Sequence, residues 1–172
     1  YTACPFPLAY NGLGELAVFI FMGPVMGLGA YYVMAHDVHW TPVLAALPIA
    51  FTVAAILHAN NIRDIDADRA VNKRTLAVRF GLAFARAEYV FLVGAAYISL
   101  VLLVLTGVMP WPVLATFLTL PEALRLVRII RTSRDSLFLH QAQGRTARLH
   151  GRFGLMIVLG WLAYWVLEQL IS

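Results

Sequence analysis

Cysteine is nearly missing from this chain, with Cys4 the only one among 172 residues. A single thiol can neither close an intrachain disulfide nor build a cysteine-based metal site. Charge is scarce too: 13% of residues are charged against 61% hydrophobic, and the mean hydropathy is +0.77. That balance argues against a soluble domain. No internal repeat, low-complexity tract or second domain stands out. The chain opens on Tyr1 with neither an initiator methionine nor a basic, signal-like start, so it is expected to be the back part of a longer protein.

What the chain has in quantity is long apolar runs. Five segments approach the ~20 residues needed to cross a hydrocarbon core: Leu16–Met34, Pro42–His58, Tyr89–Met109, Trp111–Leu126 and Gly154–Ile171. The second and fourth are short, as a tilted or broken helix would be. Pro24, Pro48 and Pro121 fall inside these runs, where neighbouring helices can re-satisfy freed carbonyls. The expected fold is an all-α integral membrane helical bundle with about five transmembrane helices.

Basic residues are confined to two stretches. Arg63, Arg69, Lys73, Arg74, Arg79 and Arg86 lie between the second and third spans, and Arg125, Arg128, Arg131, Arg134, Arg145, Arg148 and Arg152 between the fourth and fifth. Together they are all 13 Lys and Arg residues. The linkers Ala35–Thr41 and Thr106–Pro110 carry none. The positive-inside rule then puts both basic stretches in the cytoplasm, so that the chain starts inside and ends outside. The net charge of +4 follows from these stretches, and no nucleic-acid partner is needed to explain it.

Acids are concentrated in Asn60-Asn61-Ile62-Arg63-Asp64-Ile65-Asp66-Ala67-Asp68-Arg69, at the edge of an apolar run. At about 100° per residue, Asn61, Asp64 and Asp68 fall within roughly 60° of one another on a helix, with Asp66 on the opposite side. Two carboxylates on one face repel unless a proton or cation intervenes. Carboxylate and amide oxygens suit magnesium or calcium, so Asn61, Asp64 and Asp68 are expected to hold a divalent ion. Lys73, Arg74 and Arg79 follow within about three helical turns. Carboxylates that hold a metal, followed by unpaired cations, suit a metal-bound phosphate or diphosphate. An EF-hand loop does not fit, because Arg69 stands at the required glycine and Thr75 at the required glutamate.

Residues 60–81, Asn-Asn-Ile-Arg-Asp-Ile-Asp-Ala-Asp-Arg-Ala-Val-Asn-Lys-Arg-Thr-Leu-Ala-Val-Arg-Phe-Gly, closely resemble the second aspartate motif of the UbiA superfamily of intramembrane prenyltransferases. The resemblance is greatest to its 1,4-dihydroxy-2-naphthoate prenyltransferases, of menaquinone and phylloquinone biosynthesis. The opening Tyr1–Glu15 resembles the lead into that group's fifth helix, and Arg145–Leu155 the entry to its last helix. Asn72 replaces a usual Gly before the lysine, and Ala3-Cys4 a common Gly-Gly; both Asn and Gly tolerate a left-handed turn.

The resemblance implies that residues 1–172 are the C-terminal part of a single nine-helix domain with a central cavity. The earlier helices, with a first aspartate motif that has no counterpart here, would be the missing partner, and the chain alone would be inactive. It implies that Asp64 and Asp68 act through Mg2+ on a polyprenyl diphosphate, with Asn60 and Asn61 in the leading amide positions, Lys73 on the diphosphate, and Arg74 and Arg79 nearby. The implied aromatic acceptor is dihydroxynaphthoate, prenylated with loss of carbon dioxide and diphosphate. The implied setting is lipid: a bacterial inner membrane or plastid membrane, with the motif on the cytoplasmic side.

Other residues have a structural and a functional reading side by side. Glu15 and Tyr10 would face the acceptor, or Glu15 would satisfy orphan amides at a helix start. His58 would be a base or a packing residue. Arg145, Arg148 and Arg152 would meet phosphate or only set topology, and Trp40, Trp111, Trp161 and Trp165 suit interface packing. Two alternatives stay open: a UbiA-type enzyme with another acceptor, such as 4-hydroxybenzoate or homogentisate, and a non-enzymatic cation-binding or transport protein. The second predicts acids deep in the spans, whereas Asp64 and Asp68 sit at a span's end beside basic residues.

Overall fold

The computed structural model describes residues 7–133 and 136–171, so Cys4, Arg134 and the first six residues of the opening motif lie outside the described residues. Among the described residues every regular element is helical. A short 3-10 turn, Leu8–Asn11, leads into α1 (Gly14–Ala35) and α2 (Trp40–Arg63). The short α3 (Ile65–Ala70) and the long α4 (Leu76–Leu105) follow. A 3-10 segment, Trp111–Thr119, runs into α5 (Leu120–Thr132), and α6 (Ser136–Ile171) ends the chain.

Among the described residues four helices are long and apolar enough to cross a membrane: α1, α2, α4 and Leu137–Ile171 of α6. The expected span at Trp111–Leu126 takes another form. Its first half winds as a 3-10 helix, and its second half joins an amphipathic helix with Ala123, Leu126 and Ile130 buried and Arg125, Arg128 and Arg131 exposed. The arginines recur on the face opposite the apolar stripe, which is the pattern of a helix lying along an interface. The boundaries of two other spans also move. α4 begins at Leu76 rather than Tyr89, and α6 takes in Arg145, Arg148 and Arg152.

The prolines divide by position. α2 steps at Ala46, so Pro48 falls in the first turn of its segment Leu47–Arg63, as Pro121 does in α5, where a missing N–H leaves no bond unmade. Only Pro24 is interior, and there α1 loosens into a π turn over Phe21–Val25.

α2 is the centre of the bundle, packed against α1, α4 and α6. Its inward face is built of small residues, Ala50, Ala54, Ala55 and Ala59, all buried. Small residues let helix backbones approach where lipid offers no hydrophobic drive. Gly23 of α1 uses that space: a Cβ there would lie 2.3 Å from the Ala50 Cβ. Two pairs of buried hydroxyls link elements, Tyr89 with Thr146 and Tyr97 with Thr119, each at 2.8 Å.

Candidate functional site

α2 passes into α3 without losing helical register. Asp64 sits at the junction (φ −97°, ψ 13°), yet its N–H bonds the Asn60 carbonyl at 3.0 Å, and Asp68 N–H bonds the Asp64 carbonyl at 2.7 Å. Asp64 and Asp68 thus stay one turn apart on the same side.

The chain after α3 folds back on Asp68. Asn72 adopts the left-handed conformation (φ 55°), and Lys73 N–H bonds the Asp68 carbonyl at 2.9 Å while Asn72 N–H bonds the Arg69 carbonyl at 3.2 Å. This paired closure of a helix end is a Schellman motif. It delivers the Lys73 side chain to the Asp68 carboxylate, with Nζ 3.1 and 3.0 Å from its two oxygens. Asp68 is buried, and Lys73 is partly so.

Arg63 performs the same office for Asp64. Its guanidinium donates through Nε at 2.6 Å and Nη2 at 2.5 Å, a bidentate pair. That contact holds the Asp64 carboxyl below the usual carboxylate range, against a smaller opposing effect of burial. Arg63 also donates to Asn60 Oδ1 at 2.8 Å, to Gln143 Oε1, and to His140 Nδ1 at 3.2 Å. It therefore ties the end of α2 to α6. Asp66 points away and pairs with Arg69 in the open, at 3.1 Å.

The remaining expected residues lie around this group in different ways. Asn61 is buried and turned toward α1, donating Nδ2 to Glu15 Oε1 at 2.7 Å. Arg74 and Arg79 are exposed, and Arg79 Nε bonds the Arg74 carbonyl at 3.1 Å. Their turn packs on Gly12, whose φ of +73° and close approach to the Arg74 carbonyl, 3.2 Å from a notional Cβ, both favour glycine. Tyr10 contributes its backbone carbonyl, which accepts from Arg74 N–H at 3.3 Å.

A second polar group lies one turn back along α2. His58 is fully buried, with Nε2 2.8 Å from the Ala85 carbonyl and Nδ1 3.1 Å from Glu15 Oε1. A carbonyl can only accept, so Nε2 carries a proton. One proton then lies between Nδ1 and Glu15 Oε1, and the pair is neutral overall whichever atom holds it. Glu88 of α4 stands 3.7 Å from Nε2 through its Oε2. Glu88 and the pairing role of Arg63 escaped the sequence reading. A lone acid at the edge of the Tyr89 span was the available signal for the first.

Among the described residues no group of three His, Cys, Asp or Glu side chains is arranged to hold a metal ion by itself. The donor set nevertheless fits magnesium arriving with a phosphate ligand, because such ions use one or two protein carboxylates and take the rest from phosphate and water. Asp64 and Asp68 supply those carboxylates. Asn61 Oδ1 is buried and has no hydrogen-bond partner.

The chain matches the UbiA prenyltransferase family over residues 1–139. A 1,4-dihydroxy-2-naphthoate octaprenyltransferase of Bacillus subtilis is 33% identical over 163 residues, which cover 94% of this chain and 52% of that protein. Its namesake in Mycobacterium tuberculosis is 40% identical over 134 residues, 78% of this chain and 45% of that protein. The UbiA prenyltransferase domain-containing protein 1 homolog of Drosophila melanogaster is 33% identical over 150 residues, 87% of this chain and 40% of that protein. The chain thus spans about half the length of the curated relatives it matches, or somewhat less.

Proposed function

This chain belongs to the UbiA prenyltransferase family, and from that premise we propose that the full-length protein moves a polyprenyl group from its allylic diphosphate to 1,4-dihydroxy-2-naphthoate. The allylic C–O bond breaks, diphosphate leaves, and the ring carbon bearing the carboxylate forms the new bond as carbon dioxide departs. The observation that carries the proposal is the pairing of Asp64 and Asp68 on one helical side with Lys73 closed onto Asp68. The names of the bacterial relatives support the naphthoate acceptor. The pathway would be menaquinone or phylloquinone synthesis.

Asp64 and Asp68, with Asn61 Oδ1, would hold Mg2+. When bound, the ion supplies positive charge that makes diphosphate a better leaving group. Lys73, released from Asp68, would take up part of the negative charge that grows on the leaving oxygens. Arg74 and Arg79, exposed nearby, would meet the outer phosphate, and Asn60 would steady Arg63 as it gives up Asp64. The apolar helices would keep water from the allylic cation. The positive-inside pattern supports a cytoplasmic motif in a bacterial inner membrane or plastid membrane.

The test is a membrane assay of the full-length protein with dihydroxynaphthoate and radiolabelled geranylgeranyl diphosphate, in magnesium and then in EDTA. Magnesium-dependent prenylated product is expected, and Asp64→Ala or Asp68→Ala should abolish it. Transfer that survives EDTA, or either substitution, would reject the metal assignment. Transfer to another phenolic acid alone would reject the acceptor.

A further inference from the structure

Arg145, Arg148 and Arg152 recur along α6 at spacings that hold them within about 60° of one another on one side of the helix. Arg145 is partly buried, and the other two are exposed. This is not the side that serves the aspartates. Gln143, which accepts from Arg63, lies between about 140° and 180° round α6 from each of the three. α5 packs against α6 and adds the exposed Arg125 and the partly buried Glu122.

Charge in this cluster is unbalanced. Arg145 donates to both oxygens of Glu122 at 2.9 and 3.1 Å, and Arg125 stands 4.0 Å from the same carboxylate. The Glu122 carboxyl is held below its ordinary value chiefly by the Arg145 hydrogen bond, while Arg125 and Arg152 act on it by charge alone. Four guanidiniums against one carboxylate leave a net charge of +3. Among the described residues Arg148 and Arg152 have neither a hydrogen bond nor an ion pair.

The surroundings say which anion fits. Past Arg152 the same side of α6 continues as Leu155, Leu159 and Leu162, all exposed. From Arg152 to Leu162 is about 15 Å of helix, the depth of one leaflet of a ~30 Å hydrocarbon core. Toward the start of α6 the side opens into a hollow of about 310 Å³ lined by His140, Gln141, Gly144, Arg145 and Arg148. A polar hollow, then guanidiniums, then an apolar stripe one leaflet deep follows the order of a phospholipid: headgroup, phosphate, acyl chains. Guanidinium matches phosphate by paired hydrogen bonds, and basic clusters at helix junctions suit acidic lipid headgroups. A zwitterionic headgroup brings its own cation into the cluster, whereas an anionic one does not.

We propose that this side of α5 and α6 binds an anionic phospholipid, with its phosphate at Arg148 and Arg152, its headgroup in the hollow and its acyl chains along Leu155, Leu159 and Leu162. The site goes beyond prenyl transfer and does not depend on it.

The test uses the full-length protein in neutral detergent and follows energy transfer from its tryptophans to pyrene on an acyl chain of phosphatidylglycerol or phosphatidylcholine. Phosphatidylglycerol should bind about tenfold more tightly or better. Arg148→Gln with Arg152→Gln should remove most of that preference, whereas Arg128→Gln with Arg131→Gln, further round α5, should leave it within twofold. Equal affinity for the two lipids in the unaltered protein would overturn the proposal, and that comparison needs no variant to fold; it is also the result expected if other helices of the full chain cover this face. An equal loss in both double variants would overturn it too, by showing diffuse attraction to a basic surface. Full displacement of phosphatidylglycerol by sodium phosphate would make free phosphate the ligand in place of lipid. No arm of the test needs turnover, so loss of the prenyl-transfer reading and loss of this site would be told apart.

Discussion

Lys73 reaches Asp68 because of its neighbour's backbone. Asn72 takes a positive φ, and the chain turns sharply enough for the next side chain to lie over the acid it follows. Asn and Gly tolerate that conformation, whereas a β-branched residue there costs about 1–2 kcal/mol. Asn72→Gly should therefore keep thermal stability and diphosphate affinity, while Asn72→Val should lower both; unchanged affinity in Asn72→Val would separate the turn from the site. At this scale Asp64, Asp68 and Lys73 were legible because one continuous stretch carries them and helical spacing sets their side. Glu88 was not, since its meaning comes from His58 and Glu15 on other helices. Arg63 was counted as a topology charge, and only the bidentate geometry reveals it as the partner of Asp64.

Between elements, the joints matter more than the helices they connect. α4 opens with Thr75 as its cap, Oγ1 accepting from Val78 N–H at 3.3 Å, and then breaks at Gly81 (φ 82°, ψ 173°) before its long apolar run. That dihedral region is essentially closed to other residues and costs about 1–3 kcal/mol when forced. Gly81→Ala should lower the unfolding midpoint even though nothing lies within 4 Å of the added carbon. An unchanged midpoint would mean that the break is not needed.

α5 is joined to α6 by Glu122, whose oxygens accept from Arg145 at 2.9 and 3.1 Å. The guanidinium holds this carboxyl below its ordinary value of 4.5. A depressed acid contributes stability above its unfolded value and loses it as the pH falls through the folded one. Unfolding midpoints measured from about pH 6 down to about pH 3 should therefore fall more steeply in the unaltered protein than in Glu122→Gln. Equal slopes would show that the pair adds nothing. The helices themselves were legible from hydropathy, but the 3-10 winding at Trp111 and the arginine face of α5 depend on tertiary contacts that an apolar count cannot see.

For the molecule as a whole, the all-helical membrane bundle agrees with what composition required, and the family agrees with the resemblance carried by residues 60–81. α1 has few buried residues and shows Leu16, Phe21, Met22, Val25 and Met26 outward, as a helix does when lipid or further helices cover it. The aspartates, by contrast, are already neutralised from within, Asp64 by Arg63 and Asp68 by Lys73. On the reading proposed above, the motif would then exchange ions rather than trap them. On that reading a bare divalent cation would have to displace two tethered positive charges and offer them no new partner, whereas a cation arriving on diphosphate would bring oxygens for both. Calorimetric titration of magnesium alone should give little heat, and strong binding should appear only once geranylgeranyl diphosphate is present. Arg63 is bonded to His140 and Gln143 through Nη1 and to Asp64 through Nε and Nη2, so its hold on α6 is separate from its hold on the acid. One side chain at the end of the central helix thereby serves both its own acid and the longest helix.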